Sequence, residues 1–407
     1  MSEWKEYSLG DIAEVESGST PSTKEPSYWG GDIAWITPND LSGHNSKYIS
    51  MGERNITKAG LNASSAKLLP RGTVVFSSRA PIGYLAIALN ELTTNQGCKN
   101  FVCKIGQLDN HFLYYLLRHK ATYIERLSSG STFPEATGTL LKNLHLKLPD
   151  YTEQRAIAGV LSSLDDKIEL LRKQNETLEA MASALFSHWF VDFEFPNENG
   201  KPYKSSGGAM IDSELGEIPE GWKVGKYGEI AKLTMGLSPK GEFYNTDSEG
   251  LPLLNGASDF EGSKIKATKY TSEITRKCER GDIIFCIRAT IGNIAIADKE
   301  YCLGRGVAAI RPNEDCFFYA LYFLKMTLDR LAHSATGSVI KGLSKPDISG
   351  MRILKPKKEI SRFFNSTINP VFEKLKTNTS EIDTLTRLRD LLLPKLMSGE
   401  IRVEGEA

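Results

Sequence analysis

Leu69-Pro70-Arg71-Gly72-Thr73-Val74-Val75-Phe76 leads into Arg79-Ala80-Pro81-Ile82-Gly83-Tyr84-Leu85-Ala86-Ile87-Ala88, and Cys278-Glu279-Arg280-Gly281-Asp282-Ile283-Ile284-Phe285 leads into Arg288-Ala289-Thr290-Ile291-Gly292-Asn293-Ile294-Ala295-Ile296-Ala297. Each stretch is a β-type apolar run, an Arg, and an Ile-Gly turn into a second apolar run. Trp4 and Trp222 stand before them, 218 residues apart, Arg79 and Arg288 are 209 apart, and Gly130 and Gly337 behind them are 207 apart. A slowly shrinking offset is what a duplicated unit looks like after loops have gained and lost residues. One module built twice implies that whatever the chain engages also comes in two halves.

The copies read as small strand-rich α/β domains. In the first, short β-type runs at 33–36, 73–76, 84–88 and 101–103 precede a helix at about 109–127, where Phe112, Tyr115, Leu116, Tyr123 and Leu127 recur at helical spacing. In the second, strands are expected near 283–287, 293–297 and 307–311 and a helix near 315–332.

Each copy ends in a long heptad pattern. Ile157, Leu161, Leu164, Ile168, Leu171, Asn175, Leu178, Ala182, Leu185 and Trp189 alternate steps of four and three, a coiled-coil seam broken by one polar residue. Asp150 with Glu153 resembles a capping box, and a helix over 152–190 would be about 58 Å long. Phe364, Ile368, Val371, Leu375, Asn378, Ile382 and Leu385 repeat the pattern before it slips to Leu388, Leu392 and Leu396. Pro370 predicts a kink or a late start, and Pro394 predicts an end. A buried seam amide needs a partner, so Asn175 and Asn378 are expected to set an antiparallel register. Their repeat mates, Leu171 and Ile382, would then also lie opposite each other.

The expected architecture is therefore α/β (α+β): two similar strand-rich domains separated by two long antiparallel coiled-coil helices, with a pseudo-two-fold internal repeat. The boundaries read 1–149 for the first domain, 150–195 for the first helix, 196–221 for a Gly/Ser/Pro-rich linker, 222–356 for the second domain, 357–399 for the second helix and 400–407 for a tail.

Composition narrows the function classes. The 407 residues carry 50 Lys and Arg against 50 Asp and Glu, a zero formal charge. The two globular halves are slightly basic and the first long helix is acidic. That is a poor footprint for binding nucleic acid alone, so a nucleic-acid role needs local patches or a basic partner. The six cysteines form no Cys-x-x-Cys pair, which fits a reduced cytoplasmic setting without structural metal. No leader pattern opens the chain and no apolar run approaches a bilayer span, so no membrane role is expected.

No phosphate-binding Gly-rich loop, Gly-x-Gly-x-x-Gly after a strand or His-Glu-x-x-His occurs, and neither His145 nor His188 has a credible nucleophile or orienting partner. The chain reads as non-catalytic. Shared residues of a duplicated reader should be scaffold or sequence-neutral contacts, and divergent polar loops should discriminate. The candidate DNA-binding residues are Lys24, Thr37, Asn39, Arg79, Asn95, Gln96 and Thr132 in the first half and Lys240, Asn255, Arg288, Arg305, Lys341 and Lys345 in the second. Asn and Gln suit adenine edges and Arg suits guanine or phosphate. Arg79 and Arg288 read equally as turn residues that hold backbone carbonyls. The aromatic cluster Phe186, Trp189 and Phe190 either docks a partner or packs beneath the chain's own second domain.

At these residues the chain resembles the specificity subunit of a Type I restriction-modification system. The resemblance rests on Trp35-Ile36-Thr37-Pro38-Asn39-Asp40-Leu41, Ser78-Arg79-Ala80-Pro81-Ile82-Gly83, Thr94-Asn95-Gln96-Gly97 and Leu148-Pro149 before Glu153-Gln154-Arg155-Ala156-Ile157. Glu217-Ile218-Pro219-Glu220-Gly221-Trp222 and Leu393-Pro394-Lys395-Leu396-Met397-Ser398-Gly399-Glu400-Ile401 extend it over essentially the whole chain. It implies two target-recognition domains that each read one half of a split, asymmetric site on double-stranded DNA, with the helices as spacer. It further implies two methyltransferase subunits carrying S-adenosylmethionine for adenine-N6 chemistry, and restriction subunits using ATP and Mg²⁺, with no cofactor in this chain. The second half has Leu303-Gly304-Arg305-Gly306 where the first has Thr94-Asn95-Gln96-Gly97, so no base contact is carried from one half to the other. The competing class is a tandem-repeat protein-interaction scaffold without DNA binding.

Overall fold

The computed structural model describes residues 3–44, 46–79, 81–128, 134–288, 291–334 and 342–403. The chain forms two compact units, Met1–Gln174 with Thr377–Ala407, and Asn175–Lys376. This grouping differs from a division in chain order, because each long helix is divided between the two units. The first runs unbroken over Tyr151–Phe190 and the second over Lys358–Ser398.

In the first unit a central sheet has the strand order Ala13–Ser17, Cys98–Cys103, Val74–Ser77, Leu85–Ala88, Tyr48–Ile49. Side chains alternate across it, and both faces are covered. Val74, Phe76, Ile87 and Phe101 face the helix Asn110–Ser128, whereas Val75, Ala86, Ala88 and Cys98 pack against Ala34, Ile36 and Ile49. On that second side lies a three-stranded sheet of Arg54–Ile56, Trp29–Ile36 and Thr93–Thr94. Each fully buried Val, Ile or Phe contributes roughly 1.5–3 kcal/mol. Tyr123 and Leu127, expected on the buried face of the helix, are exposed, and Leu113, Leu117 and Ile124 take the core positions instead.

The second unit repeats this plan. Its four-stranded sheet runs Ala231–Met235, Val307–Pro312, Ile283–Cys286, Ile294–Ile296. Ile283, Phe285, Ala308 and Ile310 face the side of the helix Phe317–Ser334, and Ile284, Cys286, Val307 and Ala309 pack on the other face. The linker composition of 196–221 conceals an ordered segment: Met210–Ser213 pairs with Gly216–Pro219, and Phe195 stacks between Tyr203 and Trp222. Its aromatic and Ile218 side chains had apolar surface to bury, which outweighs the turn-rich composition around them.

Antiparallel pairing of helix halves closes each core. In the first unit Ile157, Ala158 and Leu161 share a core cluster with Leu393, Leu396 and Met397, and Ile168 and Leu171 meet Ile382 and Leu385. Leu171 and Ile382, expected opposite each other, thus lie in one cluster. Asn378 is fully buried, and its amide donates to Gln174 Oε1 at 3.4 Å; Asn175 is half-buried. The seam does not slip to Leu388, which is exposed; it continues through Arg389, 9 % exposed. Arg389 donates to Asp165 Oδ1 at 2.7 Å, and Tyr115 Oη donates to Asp165 Oδ2 at 2.7 Å. A charge occupies a seam position because a carboxylate neutralises it there.

In the second unit Phe186, Trp189 and Phe190 are 3–5 % exposed and pack on Tyr319, Tyr322, Phe364 and Trp222. Of the two readings of this cluster, docking of a partner is corrected: the rings are spent on the unit's own core and offer no face. Pro370 and Pro394 neither delay nor end the second helix. Each is exposed, and so are Ser366 and Asp390 four residues before, so water can satisfy the carbonyls the prolines leave unbonded. The helix ends at Gly399, whose φ of +76° suits a residue without a Cβ, and Ile401 N–H returns to Lys395 O.

Candidate nucleic-acid interface

The topology gathers four loops at one edge of each unit. In the first, Trp35 and Ile36 pair in parallel with Thr93 and Thr94, so the segments after both strands leave side by side. Cys98–Cys103 runs antiparallel to both Ala13–Ser17 and Val74–Ser77, which brings the segments after Ser17 and Ser77 to the same place. Backbone bonds then tie the loops together: Ser19 N–H to Thr94 O, Asn95 N–H to Ile36 O, Ser78 N–H to Gly97 O and Ala136 N–H to Ser78 O, all 2.8–2.9 Å.

The second unit makes the same rim. Leu253 and Leu254 pair in parallel with Cys302 and Leu303. Leu237 N–H donates to Leu303 O, Gly304 N–H to Leu254 O, Ile287 N–H to Gly306 O and Leu343 N–H to Ile287 O, at 2.7–3.0 Å. Thr94-Asn95-Gln96-Gly97 and Leu303-Gly304-Arg305-Gly306 are therefore backbone equivalents although their side chains differ. The sequence sets the two stretches opposite each other, and the bonds that make them equivalent are carried by main-chain groups.

Side chains that serve the rim are occupied. Thr37 caps the turn Pro38–Leu41 in a capping box with Asp40: its N–H and hydroxyl both donate to Asp40 Oδ2, at 2.7 and 2.6 Å. In the second unit Asp259 Oδ2 accepts from the N–H groups of Asn255 and Gly256 at 2.6 and 3.1 Å. Asn95 Oδ1 accepts from Gly97 N–H at 2.9 Å. Arg79 donates through Nη2 to Gln96 O at 3.1 Å, so the turn-holding reading of this residue has a bond behind it. Arg288 is exposed, with Gly342 packed against its stem.

Asn39, Gln96, Lys24, Lys240, Arg305 and Lys345 are exposed. Gln96 Oε1 accepts from the Thr20 hydroxyl, in the same loop as Lys24. Arg305 N–H donates to Ser238 Oγ at 3.1 Å, leaving its side chain outward. Lys240 N–H donates to Glu273 at 3.0 Å, and Lys345 opens the short helix Lys345–Ser349, capped by Ser344. Thr132 and Lys341 lie outside the described residues.

Chemistry at the rim is that of recognition. Burial pushes the Cys98 thiol up to about 12, helped by Asp40, so it carries no thiolate at neutral pH. His145 and His188 are both exposed on their elements, and Glu6 Oε1 stands 3.8 Å from His145 Nδ1. What the rims present outward is amide, guanidinium and ammonium groups, the donors that read base edges and phosphates. Among the described residues no helix is long and apolar enough to cross a membrane.

Comparison with known proteins agrees with this arrangement. A family model described as the Type I restriction modification DNA specificity domain matches residues 1–180 and again 219–387. The Type I restriction enzyme MjaIX specificity subunit of Methanocaldococcus jannaschii is 39 % identical over 99 % of this chain and 94 % of its own. The HindI specificity subunit of Haemophilus influenzae is 25 % identical over 98 % of this chain and 100 % of its own. The crystal structure of a Type I restriction-modification S subunit from M. genitalium shares the fold, with a TM-score of 0.60 at 18 % identity over 97 % of this chain and 96 % of that one. With its duplicated domain matched twice and a relative alike from end to end, the chain belongs to the family of Type I restriction-modification specificity subunits.

Proposed function

We propose that each rim lies on one half of a split, asymmetric target in double-stranded DNA, and that the chain supplies sequence recognition to a complex whose chemistry resides elsewhere. The carrying observation is that two loop rims built by equivalent backbone bonds present different exposed side chains. An equal scaffold with unequal readers suits a target whose halves differ. Lys24, Lys240, Lys345 and Arg288 are exposed cations suited to phosphate, and Asn39, Gln96 and Arg305 are placed for base edges. Arg79, Thr37, Asn95 and Asn255 act as rim supports.

In this reading two methyltransferase subunits carry S-adenosylmethionine and adenine-N6 transfer, and restriction subunits bring ATP and Mg²⁺. Zero net charge fits a chain that shares phosphate neutralisation with its partners. The unbroken long helices set the number of unspecified base pairs, since half-sites one DNA turn apart are about 34 Å from each other. The test is methylation mapping with the assembled complex. Replacing one unit's rim loops with those of a relative of different specificity should change one half-site only. Inserting one helical turn after Gln174 and after Lys376 should change the spacing and leave both half-sites intact. Retained methylation at the original spacing refutes the ruler. Partner assembly with no sequence-selective DNA contact refutes DNA reading and favours the scaffold alternative.

A further inference from the structure

Each rim carries its discriminating position at the tip of one tightly held loop. In the first unit Gly97 closes the loop: a Cβ there would sit 2.8 Å from Pro38 Cγ. In the second, a Cβ on Gly304 would meet Asn255 Oδ1 at 2.3 Å and one on Gly306 would meet Asn255 O at 1.9 Å. The loops are thus pressed against the turn beside them, and the residue between, Gln96 or Arg305, is the one whose side chain leaves the surface. Other exposed matched positions discriminate less. Asn39 and Ser258 occupy the residue before the capping carboxylates Asp40 and Asp259, but a serine hydroxyl serves several bases. Lysines 24, 240 and 345 are mobile point charges better suited to phosphate.

We propose that Gln96 and Arg305 are the specificity-determining pair, Gln96 reading an adenine in one half-site and Arg305 a guanine in the other. This rests on the DNA-reading role above. The Thr20 hydroxyl donates to Gln96 Oε1 and orients the amide plane; the second lone pair of that oxygen and the NH₂ group remain for adenine N6–H and N7. The Arg305 main chain is anchored by Ser238, and among the described residues nothing holds its guanidinium, so its fork is available for guanine O6 and N7.

The experiment selects duplexes from a randomised pool with the full chain assembled with its cognate methyltransferase subunit, and sequences them. Q96R should convert one adenine of one half-site to guanine, and R305Q should convert one guanine of the other half-site to adenine. Each variant should bind the original target about ten- to a hundredfold more weakly. Q96A and R305A change exposed side chains only and should relax the same positions to no preference. Half-sites unchanged by both substitutions, a loss of affinity uniform across all sequences, or a change in the half-site read by the other unit would each overturn the assignment. Failure of the unsubstituted complex to select any sequence would instead overturn the DNA-reading role, and the assignment with it.

Discussion

Arg389 in the seam of the first unit makes a sharp test of how the helix halves are held. Its side chain is 11 % exposed and that of Asp165 is 10 % exposed. Asp165 also accepts from Tyr115 Oη at 2.7 Å, and Arg118 stands 3.9 Å away. Removing one partner of a buried ion pair leaves an uncompensated charge and costs about 3–5 kcal/mol, whereas replacing the whole group with apolar residues is often close to neutral. Arg389→Met should therefore destabilise the first unit by about 3 kcal/mol, the lower end because Tyr115 and the half-exposed Arg118 still serve the carboxylate. At about 2–4 °C per kcal/mol for a unit of this size, its melting transition should fall by roughly 6–12 °C. The triple variant Tyr115→Phe, Asp165→Leu, Arg389→Met should return to within about 1 kcal/mol of the parent. Differential scanning calorimetry with a urea titration measures both. A single substitution costing less than about 1 kcal/mol, or a triple variant as unstable as the single, would refute the neutralised-seam argument.

Three further outcomes are expected. Burial first, then Lys47, lowers the pKa of His111 from its ordinary 6.5, against the opposing pull of Asp109 and Asp166. A histidine with a depressed folded pKa contributes stability that is full above 6.5 and is lost as pH falls through that value toward the folded pKa. Urea midpoints should decline in that window, and the decline should shrink in His111→Gln; an unchanged slope removes His111 as a cause. Gly306→Ala must displace the Asn255 carbonyl and should cost about 1–3 kcal/mol while blurring one half-site in methylation mapping. Equal damage to both half-sites would contradict the independence of the rims. Pro370→Ala restores a hydrogen-bond donor on an exposed helix face and should stabilise by up to about 3 kcal/mol, which thermal melts will show.

Much of the fold was legible because periodicity reports burial. The strand run 283–287 and the helix 109–127 appear within a residue or two as Ile283–Cys286 and Asn110–Ser128, and the first long helix as Tyr151–Phe190. Reading failed where an apolar count misses a neutralised charge, as at Arg389, or where composition outvotes a few packed apolar side chains, as at Tyr203 and Ile218. The late start read from Pro370 does not occur, because the rule concerns the fate of one carbonyl and exposure decides that fate. The loops of the candidate site were found from their polar divergence. The correspondence of Thr94–Gly97 with Leu303–Gly306 was also visible, but the parallel pairing of Trp35 with Thr93 and of Leu253 with Cys302 that holds both in place cannot be seen without coordinates. Arg79 was legible as important, and its bond to the Gln96 carbonyl shows why: it supports the residue that protrudes.

The interleaved make-up of the two units bears on the order in which the chain matures on the ribosome. Asn175–Lys376 is continuous and holds all its own core residues, so it can finish folding as soon as it has emerged. Met1–Gln174 emerges first yet lacks Leu393, Leu396 and Met397, which seal its apolar floor, and the guanidinium that answers Asp165. At about 5–20 residues per second, those pieces arrive roughly 10–40 s later. The half made first is thus the half completed last, and a transcript cut short of its final codons would yield a sound second module tethered to an open first one.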